Sequence, residues 1–182
     1  MRSNILKGSI FILILLLIVV SVSYVCAESE NDDHEVLTLS KGGIVINYPS
    51  TWGYSESESP DSIMAISSLD SIDHEKVGQV NINVEKRNIE GGDFYNFVNG
   101  TYKAMQHDSN FKLISAGEVM LKDKEALQYI YTSHENGTER QHQAVWFEKG
   151  GQAYVIMYSA PVADFESNLY VFEFIVSDMQ IT

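Results

Sequence analysis

Apolar and polar positions are most tightly patterned between Gln141 and Pro161, where two apolar, aromatic and β-branched runs flank Gly150-Gly151. That pattern predicts a β-hairpin. A two-residue loop at Lys149-Gly150 or at Gly150-Gly151 gives an odd-sum register. Ala144, Trp146, Val155 and Met157 then share one face, and Val145, Phe147, Tyr154, Ile156 and Tyr158 share the other. Both faces are apolar, so both need cover, which favours a layered sandwich over an open meander.

The same reading extends outward. Strands are expected at 36–39 and 44–48, around a Lys41-Gly42-Gly43 turn and stopped by Pro49, and a shorter one at 63–67. Over 79–87, Val80, Ile82 and Val84 alternate with Asn81, Asn83 and Glu85, predicting a strand with one buried and one wet face in the outer part of a sheet. Asp93 is a good N-cap for an amphipathic helix built on Phe94, Phe97, Val98, Thr101, Tyr102 and Met105 and running to about His107. Four strands follow, 113–121, 125–133, 141–148 and 152–160, a meander with Asn136-Gly137 marking one of its hairpin turns. Asp164 can cap a final helix whose stripe is Phe165, Leu169, Phe172, Ile175 and Val176. The fold class is therefore α+β, an α/β/α sandwich with a mainly antiparallel central sheet over 36–182. With only two clear helices, segments such as 61–76 are candidates for the remaining cover.

Composition adds location. The 182 residues carry a formal charge of −13. Residues 1–27 contain Arg2 and Lys7 but no acid, so the remainder holds 10 basic against 25 acidic side chains. Such a surface excludes nucleic acid and anionic lipid as natural partners. Residues 1–27 have a basic start, an apolar stretch and a Val25-Cys26-Ala27 end, which reads as a secretory signal with a mature start near Glu28. The uncharged run 8–27 is also long enough to serve as an uncleaved anchor. Lipidation at Cys26 fits less well, because Tyr24 and Val25 stand where a lipobox takes small residues. Either way the domain is placed outside the cytoplasm, with membrane contact only through the N-terminal segment. Residues 28–35 are an acidic, solvated linker. Cys26 is the sole cysteine, so the domain has neither a disulfide nor a thiol nucleophile.

Gly43-Ile-Val-Ile-Asn-Tyr-Pro-Ser-Thr-Trp52, the aromatic hairpin with its glycine turn, Tyr158-Ser-Ala-Pro161 and the Asp164-Phe165 helix occur in an order that resembles the PsbP-like family, in particular its secreted or membrane-tethered prokaryotic members. The resemblance implies an α/β/α sandwich shared with the small Ran-binding nuclear-import factors. It also implies an association with manganese and calcium handling, and it assigns no function by itself.

Candidate chemistry is sparse. His134, Glu135, Glu139 and His142 surround the Asn136-Gly137 turn, and His134, Glu135 and Glu139 are the candidate ligands for calcium or manganese. A two-residue loop there puts His134 opposite Glu139 and His142 opposite Tyr131, which sends the two histidines to opposite sides of the hairpin. Asn99-Gly-Thr101 and Asn136-Gly-Thr138 are glycosylation sequons. There is no Gly-x-Ser-x-Gly elbow, phosphate loop, His-Glu-x-x-His or dinucleotide fingerprint. Ten tyrosines suggest aromatic binding surfaces, for example between Tyr54 and the loop 55–62. The expected role is a non-catalytic extracytoplasmic module that binds a protein or peptide and has no cofactor. The alternative is a divalent-cation-binding protein or metal-dependent enzyme on the same scaffold.

Overall fold

The structure, a computed structural model, describes residues 35–55, 59–89, 91–135 and 137–182. The expected signal or anchor, the linker up to residue 34, and Asn136 lie outside the described residues.

Among the described residues, ten strands and two α-helices follow in the order β1 (Val36–Lys41), β2 (Ile44–Pro49), β3 (Trp52–Ser55), β4 (Ser62–Ser68), β5 (Asn81–Asn88), α1 (Phe94–Met105), β6 (Lys112–Leu121), β7 (Lys124–Glu135), β8 (Thr138–Lys149), β9 (Gln152–Pro161), α2 (Val162–Asp178) and β10 (Gln180–Ile181). Seven strands form one antiparallel sheet in the order β3-β4-β5-β9-β8-β7-β6, and β1-β2-β10 form a second. The β8–β9 hairpin is central, as its sequence predicts. Lys149 pairs with Gln152, which selects Gly150-Gly151 as the loop. Both glycines have positive φ, +59° and +70°, the backbone that a type I′ turn needs.

That register divides the core. Val145, Phe147, Tyr154, Ile156 and Tyr158 join Met64, Ile66, Ile82 and Val84 beneath α2, whose Phe165, Val171, Phe172 and Ile175 point inward. The Tyr158 hydroxyl donates to the Phe165 carbonyl at 2.8 Å, tying sheet to helix. On the opposite face Ala144, Trp146, Ala153 and Val155 meet Phe94, Val98 and Tyr102 of α1. There Tyr102 stacks on Tyr129 with centroids 3.7 Å apart and accepts from Trp146 Nε1 at 2.9 Å. Asp93 caps α1 by accepting from the Asn96 amide at 2.8 Å, worth about 1 kcal/mol.

Three expectations are corrected. The remaining cover on the α2 face comes from the small sheet, through Ile44, Ile46 and Tyr48, and not from 61–76, which contributes β4 and a surface loop. The final helix begins at Val162 with Pro161 at its N-cap, and Asp164 sits in its first turn, where it favours the helix dipole without capping. Strand β5 lies between β4 and β9, inside the sheet, and its polar face is largely engaged in side-chain hydrogen bonds rather than simply wet. Among the described residues no helix is long and apolar enough to cross a membrane.

Candidate functional site

Antiparallel register lines up residues in rows across β5, β9, β8 and β7 on the α1 face. One row is Glu85, Val155, Trp146 and Leu127; the next is Asn83, Met157, Ala144 and Tyr129; a third is Asn81, Ser159, His142 and Tyr131. Side chains therefore turn from apolar to polar along the strands, and α1 packs over the apolar end. One further step brings Arg140 opposite Ser133, with Glu135 beyond it on the same side of β7.

Arg140 is only 6% exposed, and a buried guanidinium persists when its donors are satisfied. Its Nη2 donates to the Gln79 carbonyl at 2.7 Å and to Ser159 Oγ at 2.9 Å, Nε to Ser159 Oγ at 3.2 Å, and Nη1 to Gln79 Oε1 at 3.3 Å. Glu135 Oε2 lies 3.5 Å from Nε. Burial works against the Arg140 charge and the Glu135 carboxylate supports it. A single side chain thus ties the segment before β5, strand β9 and the tip of the β7–β8 hairpin together. We call this arrangement the clasp.

His142 is the second buried member, 4% exposed and stacked on Tyr131 with centroids 4.6 Å apart. Its Nε2 lies 2.8 Å from Ser133 Oγ and 3.5 Å from Glu135 Oε1. Ser133 Oγ donates to Glu135 Oε1 at 3.0 Å, so its one proton is committed and it accepts from His142 Nε2–H. That assigns the proton to Nε2 and leaves Nδ1, which is buried without a partner, as a bare lone pair. Burial pushes the His142 pKa down to about 4, with Glu135 opposing the shift and Arg140 adding to it. A serine–histidine contact of this length has the form of a nucleophile and its base. Here the serine proton points to a carboxylate, and Nδ1 lacks the orienting acid that such a relay uses.

A second polar chain crosses β4 and β5 on the same face. Ser62 Oγ donates to Asn83 Oδ1 at 2.6 Å, Asn83 Nδ2 to Glu85 Oε1 at 2.8 Å, and Arg87 Nη2 and Nε to Glu85 Oε2 at 2.6 and 3.2 Å. The buried Glu85 carboxylate is thereby neutralised within the fold.

The expected ligands do not converge. His134 stands opposite Glu139 as predicted, but odd positions of β7 face α1 and even ones face away, so Glu135 turns to Arg140 and His142 instead. Among the described residues no three His, Cys, Asp or Glu side chains gather closely enough to hold a metal. Asn99 is exposed on α1 and its Oδ1 accepts from the Tyr129 hydroxyl; Asn136 lies outside the described residues. Tyr54 accepts from Lys41 Nζ at 3.2 Å at the β3 margin. Sequence reasoning missed Arg140, Ser159, Ser133, Gln79 and Glu85. The predicted hairpin registers already put Arg140, His142 and Ser159 on one face, which was the available signal.

On the other face, a cleft of about 460 Å³ lies between α2 and strands β6–β8, floored by Val119, Leu121, Val145, Phe172 and Val176, with Lys122 and Glu173 also lining it.

Comparison with known proteins agrees with this architecture. Cyanobacterial PsbP (CyanoP) from Synechocystis sp. PCC 6803 superposes with a TM-score of 0.58 at 16% identity, over 81% of this chain and 92% of that one. LpqN of Mycobacterium tuberculosis, involved in cell envelope biogenesis, superposes with a TM-score of 0.57 at 14% identity, over 81% and 90%. At these identities the likeness is one of fold. No curated protein matches the sequence. The family model described as PsbP-like protein matches residues 9–181, and with that match spanning nearly the whole chain, the protein belongs to the PsbP-like family.

Proposed function

We propose that this protein is an extracytoplasmic, non-catalytic module that binds or assembles with another protein. The observation that carries the reading is the clasp. Of the most chemically suggestive groups in the domain, Arg140, Ser133 and Glu135 and the Nε2 of His142 make their hydrogen bonds with one another and with Gln79 and Ser159, and the remaining His142 Nδ1 is buried away from solvent. Groups used in this way hold strands together and are not free to turn over a substrate. The N-terminal pattern and the family membership support a location outside the cytoplasm, and LpqN, of the same fold, is involved in cell envelope biogenesis.

Native-level tagging, gentle membrane solubilisation and size-exclusion chromatography test this reading. The expected result is elution in a stable complex well above the monomer mass, with a mature N-terminus near Glu28. Elution as a free monomer from every fraction would refute it.

A divalent cation at the β7–β8 tip is the second reading, favoured only by the His134–Glu139 cross-strand pair. Calcium or manganese titration followed by tryptophan fluorescence and melting temperature tests it. A saturable shift that is lost in His134→Ala would establish it, and a flat response would end it.

A further inference from the structure

Helix α2 is apolar on two sides. Phe165, Val171, Phe172 and Ile175 face the core, yet Val162, Tyr170 and Phe174 point outward, with Tyr170 64% and Phe174 41% exposed. Neighbouring exposed aromatics on an otherwise polar helix face are the kind of surface that a partner covers. Ala163, Ser167, Tyr170, Phe174 and Ser177 recur at intervals of four, three, four and three. They therefore form one outward stripe, small at both ends and aromatic in the middle, the profile of a seam that interlocks with another helix.

The charges beside the stripe select the occupant. Helix α2 exposes Asp164, Glu166 and Glu173 and has no basic residue, while Asp178 at its end accepts from Asn47 Nδ2 at 2.6 Å. A second copy docked through this face would set acid against acid, and an anionic lipid surface would be repelled in the same way. A basic segment gains contacts where those partners lose them. Glu173 also lines the neighbouring cleft, whose apolar floor offers room for an anchoring side chain, and Lys122 on its far side donates to the Asp178 carbonyl at 3.2 Å, which leaves Glu166 and Glu173 as the charges for a basic flank.

We propose that the outer face of α2 docks a helical segment of a partner protein whose apolar seam is flanked by lysine or arginine. The inference rests on the binding-module reading and gives it a surface and a partner chemistry.

The test places the photo-crosslinking residue p-benzoylphenylalanine at Tyr170 in the full chain in its native cells. Control probes go at Val77, in the loop ahead of β5, and at Tyr95 on α1, both exposed; a melting curve matching that of the unaltered protein qualifies each variant. The expected product at Tyr170 is an adduct with one other protein, whose cross-linked peptide, sequenced by mass spectrometry, bears Lys or Arg beside apolar residues. Its yield falls roughly tenfold when Glu166→Lys and Glu173→Lys are combined, because steering charges are reversed. An adduct with a second copy, with lipid or with a peptide lacking basic residues overturns the proposal, as does a yield indifferent to the charge reversal. Adducts at Val77 or Tyr95 with none at Tyr170 overturn the surface while leaving the binding-module reading intact; no adduct at any of the three overturns both.

Discussion

Acidification should loosen this domain through one buried ring. In the folded state His142 is held neutral and its pKa is pushed down to about 4, against 6.5 for an ordinary histidine. The unfolded chain therefore binds the proton first, and stability falls as the pH drops from 6.5 towards 4, then levels off below. At about 1.4 kcal/mol per pKa unit, the loss by pH 4 is about 3 kcal/mol, a large fraction of a typical folding free energy. The chain's many carboxylates titrate over part of the same range, so the informative quantity is a difference between two proteins. His142→Gln keeps an N–H donor for Ser133 and removes the titration. Urea unfolding of both proteins, followed by fluorescence of Trp52 and Trp146 from pH 7.5 to 4, should show the variant less stable at neutral pH. Over that range it should gain about 3 kcal/mol relative to the parent. Parallel pH profiles for the two proteins would refute the reasoning, as would an NMR titration of the His142 ring with a midpoint near 6.5.

Three other outcomes follow from the geometry. Arg140→Ala strands the Gln79 carbonyl and Ser159 in a buried setting and should cost about 3 kcal/mol by urea denaturation, with Arg140→Lys recovering only part because an ammonium cannot span both partners. Gly151→Val places a β-branched residue at φ +70° and should lower stability by about 2 kcal/mol without altering the fold seen by circular dichroism. Trp146→Phe removes the donor to Tyr102 and should cost about 2 kcal/mol in the same denaturation assay, while Trp52 still reports the transition.

The central hairpin was legible because its signals agree: a double glycine and two apolar runs allow two loop positions, both give an odd-sum register, and the face assignments from Ala144 to Tyr158 follow from either, while the pairing of Lys149 with Gln152 chooses between them. The meander and α1 were legible for the same reason, since Asn136-Gly137 and Asp93 mark boundaries by local chemistry. What escaped depends on distance or on context. The partnership of β10 with β2 joins opposite ends of the described chain, and no local pattern encodes it. Polar alternation in β5 looks the same whether water or a neighbouring side chain satisfies Asn83 and Glu85, so a buried network read as a wet face. Arg140 stands close to a polar turn, and the partners that hold it in its buried setting, Gln79 and Ser159, come from other parts of the chain. Helix α2 starts ahead of Asp164, directly after Pro161 closes β9, with no capping side chain to mark the boundary in the sequence.

The pairing of Gln180–Ile181 with Ile44 and Val45, reinforced by the Thr182 amide donating to the Gly43 carbonyl at 2.9 Å, has a consequence for how the molecule is made. Strand β2 receives its second neighbour only when residues 180–181 have been made. During synthesis from the N-terminus, the small sheet therefore waits with one edge open and Ile44 and Ile46 short of their cover. Contacts this distant in sequence close slowly. The same arrangement acts as a quality check: a product cut short before Gln180 keeps a bare strand edge, the feature that invites aggregation and proteolysis, and only a chain that includes residues 180–182 conceals it.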